Sequence, residues 1–150
     1  MITIEHASRK DLTAILELQK LCYQENALRV DNFNIPPLKQ TIGELEEEFE
    51  SSVILKAHDE GNIIGSIRAY EKSNGCYIGR VIVHPDYQNR GIGKALMRAV
   101  EELFDQVKRY WLFTGEKDDK NIHFYTSMGY SQFKKEEHDG VVFVFLEKKK

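Results

Sequence analysis

The sequence predicts an α/β (α+β) fold. It reads as one domain over residues 1–150, a mixed, mostly antiparallel sheet flanked by helices in the order β-α-α-β-β-β-α-β-α-β-β. Three observations predict it. Strand-like runs come in sequence around the turn segments "DEGN", "SNG" and "HDG", which is hairpin patterning. At Gly91 the period of the apolar residues changes from 2 to 3.6. The chain has no internal repeat, no linker and no low-complexity segment beyond the terminal "EKKK", so a single core burying about two-thirds of the unfolded surface suffices.

The elements follow in order. "ITIEHA" alternates and reads as a short strand. Ser8 and Asp11 make a capping box that opens a helix with Leu12, Ile15, Leu16 and Cys22 on its inner side. "NFNIPPLKQ" breaks the helical pattern, because Pro36 and Pro37 cannot continue it. Thr41 and Glu44 make a second capping box, followed by the stripe Ile42, Leu45 and Phe49. "SVILKAHD", "NIIGSIRAYEKS" and "CYIGRVIVHP" are three strands in meander order, the last ended by Pro85. From there Ile92, Leu96, Val100, Leu103, Phe104 and Val107 line one side of a helix over 91–107, with Lys94, Arg98, Glu101 and Asp105 on the other. "RYWLFTG" is a buried strand and "NIHFYTSM" a short helix closed by Gly129. "YSQFKKEE" and "VVFVFLEK" form the last hairpin.

Charge and composition narrow the partners. A net charge of −3 supplies no global basic field for nucleic acid or an acidic membrane, so any anion site is local. The two cysteines, Cys22 and Cys76, lack CxxC spacing and read as small packing residues in a reducing compartment. The five histidines are scattered, which gives no metal-ligand pattern. The longest apolar run, "VVFVFL", is too short to span a bilayer, and "MITIEHASRKDL" has no secretion-signal pattern. A cytoplasmic location is the expectation.

The candidate site is the corner where the third meander strand turns into the 91–107 helix. The first N–H groups of a helix lack intrahelical partners and carry the positive end of its dipole, which suits phosphate. Gly91 and Gly93 let the backbone come close, and Arg90 and Lys94 add full charges. A Walker A loop does not fit, since Gln88 stands where its first glycine belongs and Ala95 follows Lys94. The dinucleotide fingerprint does not fit either, because Leu96 stands at its third glycine.

What remains is Q-x-x-G-x-G, here Gln88-Asn89-Arg90-Gly91-Ile92-Gly93, after "VIVHP". In this motif the sequence resembles the GNAT superfamily of N-acetyltransferases. "NIHFYTSMGY", about 30 residues further on, is similar to that family's asparagine–tyrosine–glycine helix, giving Asn121, Tyr125 and Gly129. The resemblance covers nearly the whole chain and implies acetyl-coenzyme A as co-substrate. It implies that the loop cradles the pyrophosphate, that the backbone of Val81, Ile82 and Val83 pairs with the pantetheine arm, and that Asn121 binds the coenzyme. It also implies that the strand before the loop and "RYWLFTG" splay apart.

Acetyl transfer to an amine needs a neutral nitrogen, a polarised thioester carbonyl and a proton for the leaving thiolate. Free N–H groups on the 81–83 strand are candidates for the carbonyl. Tyr125 is the candidate general acid: a phenol is still protonated at neutral pH, and four residues separate it from Asn121 on one helix face. Glu71 is the candidate base, with Tyr70 and His84 as alternatives, although each also reads as a polar residue at a strand end.

The acceptor region implied by the family is "YQENALRVDNFNIPPLKQTIGELEEEFESS". Its glutamates, Glu44, Glu46, Glu47, Glu48 and Glu50, read either as a solvated helix face or as a rim attracting a cationic amine. The resulting expectation is an N-acetyltransferase acting on a primary amine of a small molecule. A non-catalytic acyl-coenzyme A sensor, or acetylation of a protein lysine or N-terminus, remains open, and homodimerisation is undecided.

Overall fold

The computed structural model describes all 150 residues. The strands β1 (Ile2–His6), β2 (Val53–Asp59), β3 (Asn62–Lys72), β4 (Gly75–Val83), β5 (Arg109–Gly115), β6 (Ser131–His138) and β7 (Val141–Lys149) form one sheet. Its order is β1-β2-β3-β4-β5-β7-β6. All neighbours are antiparallel except β4 and β5. The helices are α1 (Leu12–Val30), α2 (Pro36–Lys39), α3 (Ile42–Ser51), α4 (Ile92–Leu103) and α5 (Asp119–Ser127). This is the expected mixed α/β architecture.

Side-chain alternation along the strands sends adjacent residues to opposite cores. Leu55 joins Ile67, Ile78 and Leu112 in a cluster with Ile92, Leu96, Met97 and Val100 of α4. Its neighbour Ile54 packs instead with Leu12, Ile15 and Leu16 of α1 and Leu45 of α3. Each such side chain contributes about 2 kcal/mol when removed from water. No helix is long and apolar enough to cross a membrane.

Both capping boxes form. Ser8 N–H donates to Asp11 Oδ2 at 2.8 Å, opening a 3-10 turn (Arg9–Asp11) that leads into α1. Thr41 N–H donates to Glu44 Oε1 at 2.9 Å, and Glu44 N–H donates back to Thr41 Oγ1 at 3.2 Å.

Two segments depart from expectation. Pro36 and Pro37 start the one-turn helix α2 instead of only breaking the pattern, because the first turn of a helix does not need their missing N–H groups. Buried Gln19 fixes that turn by donating from Nε2 to Pro37 O at 2.9 Å and to Gln40 Oε1 at 3.0 Å. The expected 91–107 helix ends earlier, at Leu103. Tyr110 Oη donates to Glu101 O at 2.7 Å and to Phe104 O at 3.0 Å, occupying carbonyls that a further turn would have used.

Tyrosines set the alkaline limit of this fold. Tyr130 is 2% exposed and donates to Glu101 Oε2 at 2.8 Å. Burial and then that carboxylate raise its phenol above the usual tyrosine range. Burial does the same for Tyr77 and Tyr110. A phenol whose pKa is raised by folding stabilises the native state fully below about pH 10 and loses that contribution as pH rises through the folded value. We therefore expect the melting temperature to fall above pH 10, and to fall less steeply in Tyr130→Phe. A thermal scan between pH 8 and pH 11.5 that gave parallel curves for the two proteins would contradict this assignment.

Candidate active site

The central feature is a fork in the sheet. β4 and β5 pair only at Cys76↔Tyr110 and Tyr77↔Trp111. Beyond Tyr77 they diverge, and β4 continues to Val83 with β3 on one edge alone. Tyr77 stands at the apex, its ring 4.8 Å from that of Trp111. The ring folds over Gly79, where a Cβ would lie 2.7 Å from the phenol oxygen, so any larger residue there would displace the Tyr77 ring.

β4 also carries a bulge. Ser66 faces Ile82 while Arg68 faces Gly79, so Ile67 stands opposite two residues, Arg80 and Val81. Arg80 adopts φ 50°, in the left-handed region. Nothing in "CYIGRVIV" predicts the bulge.

A cleft of about 430 Å³ opens along the free edge of β4. Val81, Ile82 and Val83 line it together with Gln88, Asn89, Gly91, Ile92, Gly93 and Lys94 of the glycine corner and Asn121 and Tyr125 of α5. Val83 O accepts from Gln88 Nε2 at 3.1 Å and from the Cys22 thiol at 3.3 Å. Lys120 donates to Gln88 Oε1 at 2.9 Å, so the first motif residue is held at both ends of its amide.

The start of α4 is left open toward this cleft. Thr41 caps α3 and Asp118 caps α5, but no side chain caps α4. Its cap residue Gly91 sits at φ 80°, ψ 8°, which favours glycine. The N–H of Ala95 is the first to find a backbone acceptor, Gly91 O at 3.0 Å. The preceding N–H groups and the dipole are available to an anion. Gly93 has a different reason: a Cβ there would meet Phe124 Cζ at 3.2 Å, so its absence lets α5 pack against α4.

Asp118 positions α5. This carboxylate is 1% exposed, accepts from Asn121 N–H at 3.2 Å, and receives Arg29 Nε at 3.3 Å, Arg29 Nη2 at 3.2 Å and Asn26 Nδ2. Tyr125 is buried beside Phe124 and Tyr130, and its hydroxyl has no hydrogen-bond partner within the protein. Burial, reinforced by Tyr23, Tyr77 and Asp118, raises its phenol above the usual range. It therefore stays a proton carrier at every physiological pH. Burial also pushes the Cys22 thiol up to about 12, which keeps it a hydrogen-bond donor instead of a nucleophile.

Not every candidate joins the cleft. Arg90 is exposed and lies over the Tyr87 ring at 5.0 Å, outside the lining. Glu71 is exposed, pairs with Cys76 at the opposite end of β4 from the glycine corner, and does not line the cleft. His84 Nδ1 accepts from Asp86 N–H at 3.0 Å and caps the 3-10 turn Pro85–Tyr87. The Tyr70 ring packs at a tilt against Tyr77, centroids 5.1 Å apart. Among acidic residues the cleft is lined only by Glu25, which is paired with Arg29 and Lys120, each at 3.2 Å.

The α1 residues Tyr23, Asn26 and Arg29 line the cleft; they lie in the segment expected to receive the acceptor but were not singled out within it. Their signal lies in the helical stripe itself. Leu12, Ile15 and Leu16 continue at helical spacing as Gln19, Cys22, Tyr23, Asn26 and Arg29, so the inward face turns polar where it leaves the core. Asp118, three residues before Asn121, was likewise legible as a helix cap.

Comparison with known proteins agrees with this architecture. A relative in Bacillus subtilis (strain 168), UPF0157 protein YqkA, is 27% identical over 133 residues, covering 86% of this chain and 38% of its own. The uncharacterized N-acetyltransferase ycf52 of Gracilaria tenuistipitata var. liui is 28% identical over 118 residues, covering 76% of this chain and 60% of its own. The chain thus spans less than two-thirds of the length of either relative. The PaiA N-acetyltransferase of Thermoplasma acidophilum, solved in complex with coenzyme A, shares the fold at TM-score 0.82 and 21% identity, covering 100% of this chain and 99% of its own. The model of the Acetyltransferase (GNAT) family matches residues 12–130, from the first residue of α1 to Tyr130 after α5. The chain therefore belongs to the GNAT acetyltransferase family.

Proposed function

We propose that this protein is an N-acetyltransferase that moves the acetyl group of acetyl-coenzyme A to a primary amine of a small molecule by direct attack on the thioester. One observation carries the reading: an uncapped helix start, an unpaired strand edge and a proton-bearing tyrosine line the same cleft. The residues present fit the coenzyme. The open N–H groups of α4, with Lys94 beside them, suit a pyrophosphate, and the free edge of Val81–Val83 suits an amide-bearing arm laid along it as an added strand. Gln88, Asn89 and Asn121 complete the polar lining, and Arg90 stands outside it as a steering charge.

The coenzyme supplies the activated acyl group. The chain supplies hydrogen-bond donors for the carbonyl from the β4 edge near the bulge, and a proton for the departing thiolate from Tyr125 Oη, which the proton released by the attacking nitrogen restores. Cys22 is held protonated, so it does not form an acyl-enzyme, which favours direct transfer. With Glu25 paired and Glu71 remote, the ammonium loses its proton to solvent before attack.

The test has two stages. Excess acetyl-coenzyme A at about 100 times its Kd should stabilise the protein by about 2.7 kcal/mol and raise its melting temperature. A panel of small primary amines and of peptide N-termini is then followed by thiol release. Turnover of a small amine is expected. Binding with turnover of peptides alone would replace the small-molecule reading, and no thermal shift at millimolar ligand would defeat the enzyme reading.

A further inference from the structure

Beside the cleft lies a second, polar cavity of about 730 Å³, between α2, α3 and the bulge of β4. Its cations are Arg80 and exposed Lys39, and its carboxylates are Glu44, Glu47 and Glu48. Glu48 is half-buried and already committed: Arg68, only 3% exposed, donates from Nη1 to Glu48 Oε2 at 2.6 Å and to Gln40 Oε1 at 3.1 Å. Glu44 is committed to its capping box, and Glu47 is exposed. Arg80 is left without a partner. No hydrogen bond or ion pair engages it, and its Nε is buried. A guanidinium partly withdrawn from water without an anion is costly, so the arrangement has a place for one more carboxylate.

Position makes that place useful. Arg80 is the residue before Val81, where the unpaired edge of β4 lines the cleft, and one peptide step is about 3.8 Å. Its charge also acts on Tyr23 and Tyr77: burial raises both phenols, and Arg80 is the strongest influence opposing the rise. Arg80 therefore joins the second cavity, which its side chain lines, to the strand edge that lines the first.

We infer that the acceptor is an amino acid, whose carboxylate pairs with Arg80 while its amine reaches the thioester beside Val81. This rests on the acetyl transfer proposed above. The three glutamates attract the ammonium on approach, and a zwitterion adds no net charge to the cavity. A dianionic phosphate would add repulsion against the same glutamates. The planar fork of arginine suits a carboxylate held through two hydrogen bonds.

The experiment compares amino acids, including β-alanine, each with its carboxamide, its decarboxylated amine and its aminophosphonate, by kcat/KM with acetyl-coenzyme A. At least one amino acid should be preferred over its carboxamide and amine by about 100-fold, the ratio expected for charge-assisted hydrogen bonds. Arg80→Asn is the first variant, because asparagine tolerates the positive φ of this position. It should reduce the preference to within about fivefold, with the Kd for acetyl-coenzyme A unchanged by calorimetry. Arg80→Lys keeps the charge but not the fork, and should reduce the preference partially; it supplies the test if the asparagine variant does not fold. Equal turnover of amines lacking the carboxylate, or preference for the aminophosphonate, would overturn the inference and leave acetyl transfer standing. So would a proportionate loss with all acceptors in either variant. Coenzyme binding without turnover of any small amine would overturn the small-molecule reading itself, and this inference with it.

Discussion

Gly93→Glu is expected to weaken acetyl-coenzyme A binding at least 100-fold, about 2.7 kcal/mol, to the point where calorimetry shows no saturable heat. Two effects act together. The new Cβ meets Phe124 Cζ at 3.2 Å and Val83 Cγ2 at 3.8 Å, pressing on the contact between α4 and α5. The carboxylate also brings negative charge to the first turn of α4, where the pyrophosphate is proposed to bind. Gly91→Glu separates the two, since open space surrounds a Cβ at that position and only the left-handed φ of 80° resists it. That strain costs about 1 kcal/mol, partly offset because a carboxylate at a helix start is stabilising. Gly91→Glu should therefore fold and still fail to bind. Wild-type affinity in both variants would remove the glycine corner from the coenzyme site.

Tyr125→Phe is expected to lower kcat by about 100-fold while the KM for acetyl-coenzyme A changes by no more than about threefold. The substitution is a clean probe. The ring packing against Phe124 and Tyr130 is retained, and no protein hydrogen bond is lost with the hydroxyl. The pH profile offers an independent check. Because burial raises this phenol, the protonated donor persists through the neutral range and to at least pH 10. The wild-type rate should show no alkaline limb below that value attributable to Tyr125. An unchanged kcat in the phenylalanine variant would leave the residue with packing alone.

The parts of the fold that could be read from the sequence are those fixed by neighbours in the chain. The inner side of α4 is spaced at 3.6 residues from Ile92 to Val100, and both capping boxes lie within three residues. That Gln88, Asn89, Gly91, Ile92, Gly93, Lys94 and Tyr125 would share one cleft was legible through the resemblance carried by the two motifs, although Arg90 falls outside the lining. Features decided by tertiary contact were not. The end of α4 depends on Tyr110 reaching back to Glu101 and Phe104. The α2 turn depends on Gln19, eighteen residues away, meeting the Pro37 carbonyl. Glu71 was a candidate through the family's use of a central-strand glutamate; the antiparallel register that pairs it with Cys76, at the end of β4 remote from the glycine corner, is set by tertiary pairing. The bulge at Arg80 leaves no trace in composition, because it arises from a mismatch between two strands.

The fork in the sheet is closed at both ends. At its apex the strands are sewn together by the pairs Cys76↔Tyr110 and Tyr77↔Trp111. At its mouth the buried Asp118 of the second half receives Asn26 and Arg29 from α1 of the first. These contacts resist both closure of the gap and its spreading. Its width is set by contacts within the protein that are in place before any occupant enters. A molecule entering it bears little of the ordering cost that a mobile cleft would impose. Such preorganisation is achieved here by one short stretch of ladder and one carboxylate, with the reactive space held ready between them.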